Sequence, residues 1–365
     1  MLALRLARGT HPVVQLRRLC VAAAAAGVGF LLLCALGYAV GHPQDSSEAV
    51  LRLLWCGLPL AATVQFAVAV ARTDPSIRPR PGLSAIGLGP ARLTVIAATS
   101  TAVACTLGSA VALLFYLHLR GDITGLPFDG AAADLLAADQ PLPLAAALTL
   151  LALVPVAGAT AAGLALRPRR TEAEAEAPAE RSATAGLPWG VALLAVGLAV
   201  ETYGARGDGG GVLAGWVLTA IGLAMAGPGL THGCGRLLQM VRPGAVRLLA
   251  GRVLMDEARR IGRPLGVVCA VGSGAVAGYA LYGGALGPLS WLGVTVVVAC
   301  TTATLLSAAL ESKQARTHTT EALLRLGAPP TVLRTTALLR AGVLLAVFVP
   351  LTWAVGALAA VPLRG

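Results

Sequence analysis

A chain of 365 residues with 56% apolar residues, a mean hydropathy of +0.78 and only 12% charged residues lies outside the range of soluble globular domains. The net charge of +11 does not indicate nucleic acid as a partner, because the basic residues are scattered between apolar runs and not gathered on one soluble domain. Each spanning helix needs roughly 20 apolar residues. The expected fold is therefore an all-α, polytopic membrane helix bundle of about nine (eight to ten) transmembrane helices.

In chain order the apolar segments are Cys20–Val40, Val50–Ala71, Thr94–Leu119, Leu142–Leu166, Leu187–Tyr203, Gly211–Leu230, Pro264–Gly283, Leu289–Leu310 and Thr335–Val361. In lipid the backbone must close its own hydrogen bonds, which leaves helices or closed barrels. Continuous apolar runs, as opposed to alternating ones, select helices.

With the N-terminus inside, five stretches between the spans carry 24 of the 28 basic residues. They begin with Arg5, Arg8, Arg17 and Arg18 and end with Lys313, Arg316, Arg325, Arg334 and Arg340. Only Arg52, Arg120, Arg206 and Arg364 fall on the other side. The positive-inside rule then predicts a multi-pass protein of the inner (cytoplasmic) membrane with a cytoplasmic N-terminus.

Two polar stretches differ in kind. Thr171–Ala185 is charged, rich in Ala and Pro and without a core-forming face, so residues 167–186 read as a solvated cytoplasmic linker. Pro243–Arg263 reads as an amphipathic helix with Val246, Leu249, Ala250, Val253 and Leu254 on one side. Its Arg247, Arg252, Arg259 and Arg260 lie mostly off that side, and anionic lipids of the inner leaflet would attract them.

Chemistry-bearing groups are sparse. The eight Asp and nine Glu residues fall in loops or at membrane edges, with Glu201 the deepest. Ion-coupled carriers rely on titratable or coordinating groups at membrane depth. His11, His42, His118, His232 and His318 read as dispersed polar residues at headgroup level, and the seven cysteines as small apolar packing residues. No nucleophile–base pair, carboxylate dyad or metal motif emerges, so neither catalysis nor a cofactor is expected in this chain.

A short segment recurs in the two halves. Leu83–Leu93 contains Ile86-Gly87-Leu88-Gly89-Pro90 before the third span, and Thr320–Leu333 contains Glu321-Ala322-Leu323-Leu324-Arg325-Leu326-Gly327-Ala328-Pro329 before the last. Both fit an aliphatic residue, a spacer, Leu-Gly, a Pro-containing turn and a long apolar helix. Both lie on the arginine-rich side. Glu321 and Arg325 stand at pairing distance along a helix, and Gly327 suits its end.

At these residues the chain resembles the FtsX-like (MacB-type) permease family of ABC transporters, over about residues 1–119 and 245–361. The resemblance implies two FtsX-like half repeats: residues 1–166 and 233–365, the latter with its preceding amphipathic helix, separated by the linker and two connecting helices in 187–232. It also implies that Ile86, Leu88 and Gly89, and Glu321, Leu323, Leu324, Arg325, Leu326 and Gly327, belong to coupling segments that dock an ABC-type ATP-binding subunit, in two copies. ATP hydrolysis would then reside in that partner and not in this chain. Arg78-Pro79-Arg80-Pro81 stands where the first copy would carry a charged helix, and prolines interrupt helices. The extracellular domain common in the family has no room here, so the expected cargo is lipophilic or amphipathic and drawn from the bilayer. Helix ends between spans explain Leu-Gly-Pro segments without docking, and a facilitator working without an ATPase, or a membrane scaffold, remains an alternative.

Overall fold

The computed structural model describes residues 12–74, 90–123, 125, 127, 130–133, 136–167, 186–204, 210–240, 244–282, 287–317, 321, 325 and 329–361. Ten helices account for almost all of them, and no strand occurs among the described residues. They are α1 (Pro12–Gly41), α2 (Ser46–Trp55), α3 (Gly57–Thr73), α4 (Pro90–Arg120), α5 (Leu144–Leu166), α6 (Gly186–Gly204), α7 (Gly210–Met240), α8 (Ala245–Tyr282), α9 (Pro288–Ala315) and α10 (Pro330–Ala360). With α2 and α3 taken as one interrupted span, nine helices among the described residues are long and apolar enough to cross a membrane. Each overlaps one of the nine apolar segments, and α8 extends back to Ala245 from the expected start at Pro264. The chain is an all-α, multi-pass membrane protein.

Proline sets the local form of several spans. The α2–α3 span breaks at Cys56, three residues before Pro59, whose ring nitrogen has no hydrogen to return to the carbonyl of Trp55. Pro155, Pro228, Pro264 and Pro350 lie inside α5, α7, α8 and α10 without ending them. Neighbouring helices make such interior prolines tolerable in a membrane.

The chain divides into two compact units, the first comprising Met1–Arg170 with Gly287–Cys300 and the second Thr171–Leu286 with Thr301–Gly365. In the first unit α1 packs on α4 and α4 on α5. Leu33, Cys34, Ala112, Tyr116, Ala147 and Leu151 form its core, with Phe30 tilted against Phe115 and edge-on to Tyr116. Lipid removes most of the hydrophobic drive for helix association, so close contact matters more. Gly108 supplies it: a methyl group there would stand 2.8 Å from the Ala25 side chain. The first part of α9 joins the same unit, where Cys300 Sγ lies 3.6 Å from the Thr63 hydroxyl.

In the second unit α6 and α7 form a hairpin, α7 packs on α8, and α8 packs on α10. Around the α7–α8 crossing, a Cβ at Gly262 would lie 2.5 Å from Pro228 Cα, so the two backbones touch. Two apolar clusters flank the crossing. Leu223, Cys269, Ala270, Phe348 and Val355 make one, and Cys234, Leu238, Ala250 and Leu254 the other.

One local expectation changes, and two histidines acquire defined surroundings. The amphipathic segment Pro243–Arg263 is not a separate helix, because α8 runs unbroken from Ala245 to Tyr282 through Pro264. Its apolar stripe at Ala250 and Leu254 is covered by Cys234 and Leu238 of α7 and by Leu339 and Val343 of α10. His232 is packed inside the protein, 5% exposed within α7. His118 is also buried, its Nε2 3.1 Å from the Pro127 carbonyl oxygen, and it helps tie the loop after α4 back to the helix end.

Candidate functional site

The apolar stripe of α8 runs through Ala250, Leu254, Ala258 and Ile261, and Glu257 occupies the same face. Positions three and four apart stack along one side of a helix, so this register carries the Glu257 carboxylate into the packed seam. Glu257 is 6% exposed. A bare carboxylate there would be costly, and the fold supplies three donors.

Arg316 Nη2 lies 2.6 Å from Glu257 Oε1, and Arg340 Nη2 lies 2.6 Å from Oε2. The hydroxyl of the buried Ser312 donates to Oε1 as well. Arg316 in turn donates to Ser312 Oγ at 2.9 Å and to the Ser312 carbonyl oxygen at 3.3 Å. The cluster thereby binds three helices: Glu257 from α8, Ser312 and Arg316 from the end of α9, and Arg340 from α10. One carboxylate facing two guanidinium groups leaves a local excess of one positive charge. Arg340 Nε, buried, has no hydrogen-bond partner among the described residues. The Glu257 joint ties α8, α9 and α10 together at a defined position along each.

The joint stands where α9 ends. Ser312 lies in the last turn of α9 and Arg316 is the first residue after it. The segment that follows contains Glu321 and Arg325, which have helical backbone and exposed side chains. No ion pair between these two is among those formed by the described residues. Leu323, Leu324, Leu326 and Gly327 lie outside the described residues, as do Ile86, Leu88 and Gly89 and the linker residues 168–185.

On α8, Arg252, Arg259 and Arg260 are exposed, as is Arg263, whereas Arg247 is half-buried and engaged. Arg252, Arg259 and Arg263 recur at spacings of seven and four, which puts them on one face, away from Leu254 and Ala258.

The sequence reading places Glu257 among the acids of loops and membrane edges, and the structure buries it. The stripe defined by Ala250 and Leu254 predicts inward positions at 257, 258 and 261 when extended by one more turn. A carboxylate at the first of these was the available signal. In the sequence Arg316 and Arg340 carry only a topology signal, as members of the basic stretches.

No protein-family model, curated protein or solved structure matches the chain.

Proposed function

We propose that this chain is the membrane-spanning permease subunit of an ABC transporter, in an FtsX-like arrangement, and that the Glu257 joint transmits the movement of a partner ATPase into the spanning helices. The observation that carries this reading is a joint between α8, α9 and α10 placed at the start of the segment holding Glu321 and Arg325. A docked ATP-binding subunit pushing on residues 320–333 would act directly at the exit of α9, and through Arg316, Glu257 and Arg340 on the neighbouring helices.

The reading places the arginine-rich helix ends in the cytoplasm, with Arg252, Arg259, Arg260 and Arg263 near anionic lipid headgroups. It takes the cargo to be lipophilic or amphipathic. Many apolar side chains on the helix exteriors, among them Leu107, Leu114, Leu338 and Leu345, suit entry from the bilayer as well as lipid contact.

The test is purification of the full chain from its native membrane in mild detergent, followed by photolabelling with an azido-ATP analogue. A labelled ATP-binding subunit that co-purifies with the parent chain, and is lost on deletion of 320–333, supports the reading. A parent chain that carries no labelled subunit, or a deletion that leaves association intact, overturns it.

A further inference from the structure

The first unit holds a second joint of the same form with the charges exchanged. Asp74 is the first residue after α3, as Arg316 is the first residue after α9. Its Oδ2 lies 2.6 Å from Arg18 Nη2, near the start of α1. The last-turn hydroxyl also recurs, since Thr73 Oγ1 accepts from Arg17 Nη1 at 3.2 Å where Ser312 meets Glu257 and Arg316. The acid is buried in both places, Asp74 at 6% and Glu257 at 6% exposure.

These parallels are specific. In each unit a helix exit carries a hydroxyl in its last turn and a charged residue directly after it. Both engage another helix of that unit, α1 in the first and α8 in the second. In each case the exit leads into one of the two Leu-Gly segments, Leu88-Gly89 after Asp74 and Leu326-Gly327 after Arg316. The sign differs: the partner helix is basic and the exit acidic in the first unit, and the reverse holds in the second.

We infer that Arg18–Asp74 and Glu257–Arg316 are equivalent clamps, positioning residues that make a helix exit and its partner helix move as one when the segment after the exit is pushed. The inference rests on the permease reading above and deepens it by assigning the transmission of force to two named pairs. The pair in the first unit offers the sharper test, because the sequence between Asp74 and Leu88-Gly89 contains Pro75, Pro79 and Pro81, residues without a backbone N–H to donate.

The experiment uses the full chain in lipid nanodiscs with the ATP-binding subunit that co-purifies with it. Arg18→Asp, Asp74→Arg and the double exchange are compared with the parent in subunit affinity and in stimulated ATPase rate. A clamp predicts that each single variant keeps subunit affinity within about twofold and loses about fivefold in stimulation, while the double exchange recovers most of it, as coupled neighbours do. Asp74→Asn, a milder change, is expected to fall between parent and Asp74→Arg.

Single variants that stimulate like the parent, or a double exchange that fails to recover, would overturn the clamp. So would a loss of subunit affinity in step with stimulation, which would make the pair part of the docking surface or of the fold alone. If the parent chain itself binds no ATP-binding subunit, the permease reading falls first and the clamp with it, a result separate from the others.

Discussion

Glu257 and Arg340 are 83 positions apart in sequence and meet at 2.6 Å inside the second unit, the carboxylate 8% and the guanidinium side chain 16% exposed. Such a pair gives little net stability over an apolar replacement, but removing one partner alone strands the other. Glu257→Gln keeps the shape and removes the charge that balances Arg316 and Arg340. The expected cost is about 3 kcal/mol, at the lower end for a buried pair because Arg316 retains access to water. Thermal unfolding of the purified chain in nanodiscs checks it. Glu257→Leu combined with Arg340→Met should recover most of the loss, and failure to do so would mean that the cluster contributes more than mutual neutralisation.

The α7–α8 crossing gives a second expectation. A methyl group at Gly262 would lie 2.5 Å from Pro228 Cα and 2.7 Å from Pro228 N, atoms of a rigid ring and backbone that cannot move aside. Gly262→Ala should therefore push the helices apart and cost about 1–3 kcal/mol, the range for overpacking. Gly278, on the same helix, has nothing within 4 Å of its would-be Cβ. Gly278→Ala should be neutral or stabilise by up to about 1 kcal/mol through helix propensity alone. A comparison of melting temperatures separates the two, and equal effects would remove the crossing from the account.

The glycines show how far the sequence could be read. Nine apolar runs were enough for the helices, because a spanning segment has few alternatives to a helix. Gly274 and Gly278 are a small-residue pair one helical turn apart, and nothing local distinguishes one from the other. In the fold a Cβ at Gly274 would lie 2.7 Å from Trp216 Nε1, whereas Gly278 faces open space, a difference set by which helix is adjacent. The candidate site followed the same division. Arg316 and Arg340 were legible as charges on one side of the membrane, but their convergence on Glu257 depends on the packing of three helices. Local periodicity pointed to the Glu257 face and could not name its partners. Asp74 likewise read as a loop acid after a span, and only the approach of α1 gives it Arg18.

Glu201 supplies a third test, from the α6–α7 hairpin. It is 2% exposed and accepts a hydrogen bond from the Thr219 hydroxyl at 3.2 Å. Gly215 lies against it, where an added Cβ would come within 2.6 Å of Glu201 Cγ. Because the contact uses a carboxyl oxygen as acceptor, Glu201→Gln preserves both shape and acceptor and should be tolerated. Thr219→Val removes the donor while keeping the volume, and should cost about 1–3 kcal/mol by leaving a buried acceptor unsatisfied. Unfolding measurements on the two variants decide the point. A larger loss in Glu201→Gln than in Thr219→Val would show that charge, and not this hydrogen bond, is what the hairpin needs.

Orientation gives the last expectation, and it follows from arginine distribution alone. If the five basic stretches face the cytoplasm, the linker after α5 and the loop after α4 lie on opposite sides of the membrane. Seven native cysteines complicate labelling, so a chain with all seven replaced by alanine or serine is the proper background. In that background Ser182→Cys should react with a membrane-impermeant maleimide only after cells are permeabilised, and Thr124→Cys should react in intact cells. The opposite pattern would invert the topology. It would also put residues 320–333 on the side that lacks ATP, which would leave the segment no ATPase to dock and the Glu257 joint no push to transmit.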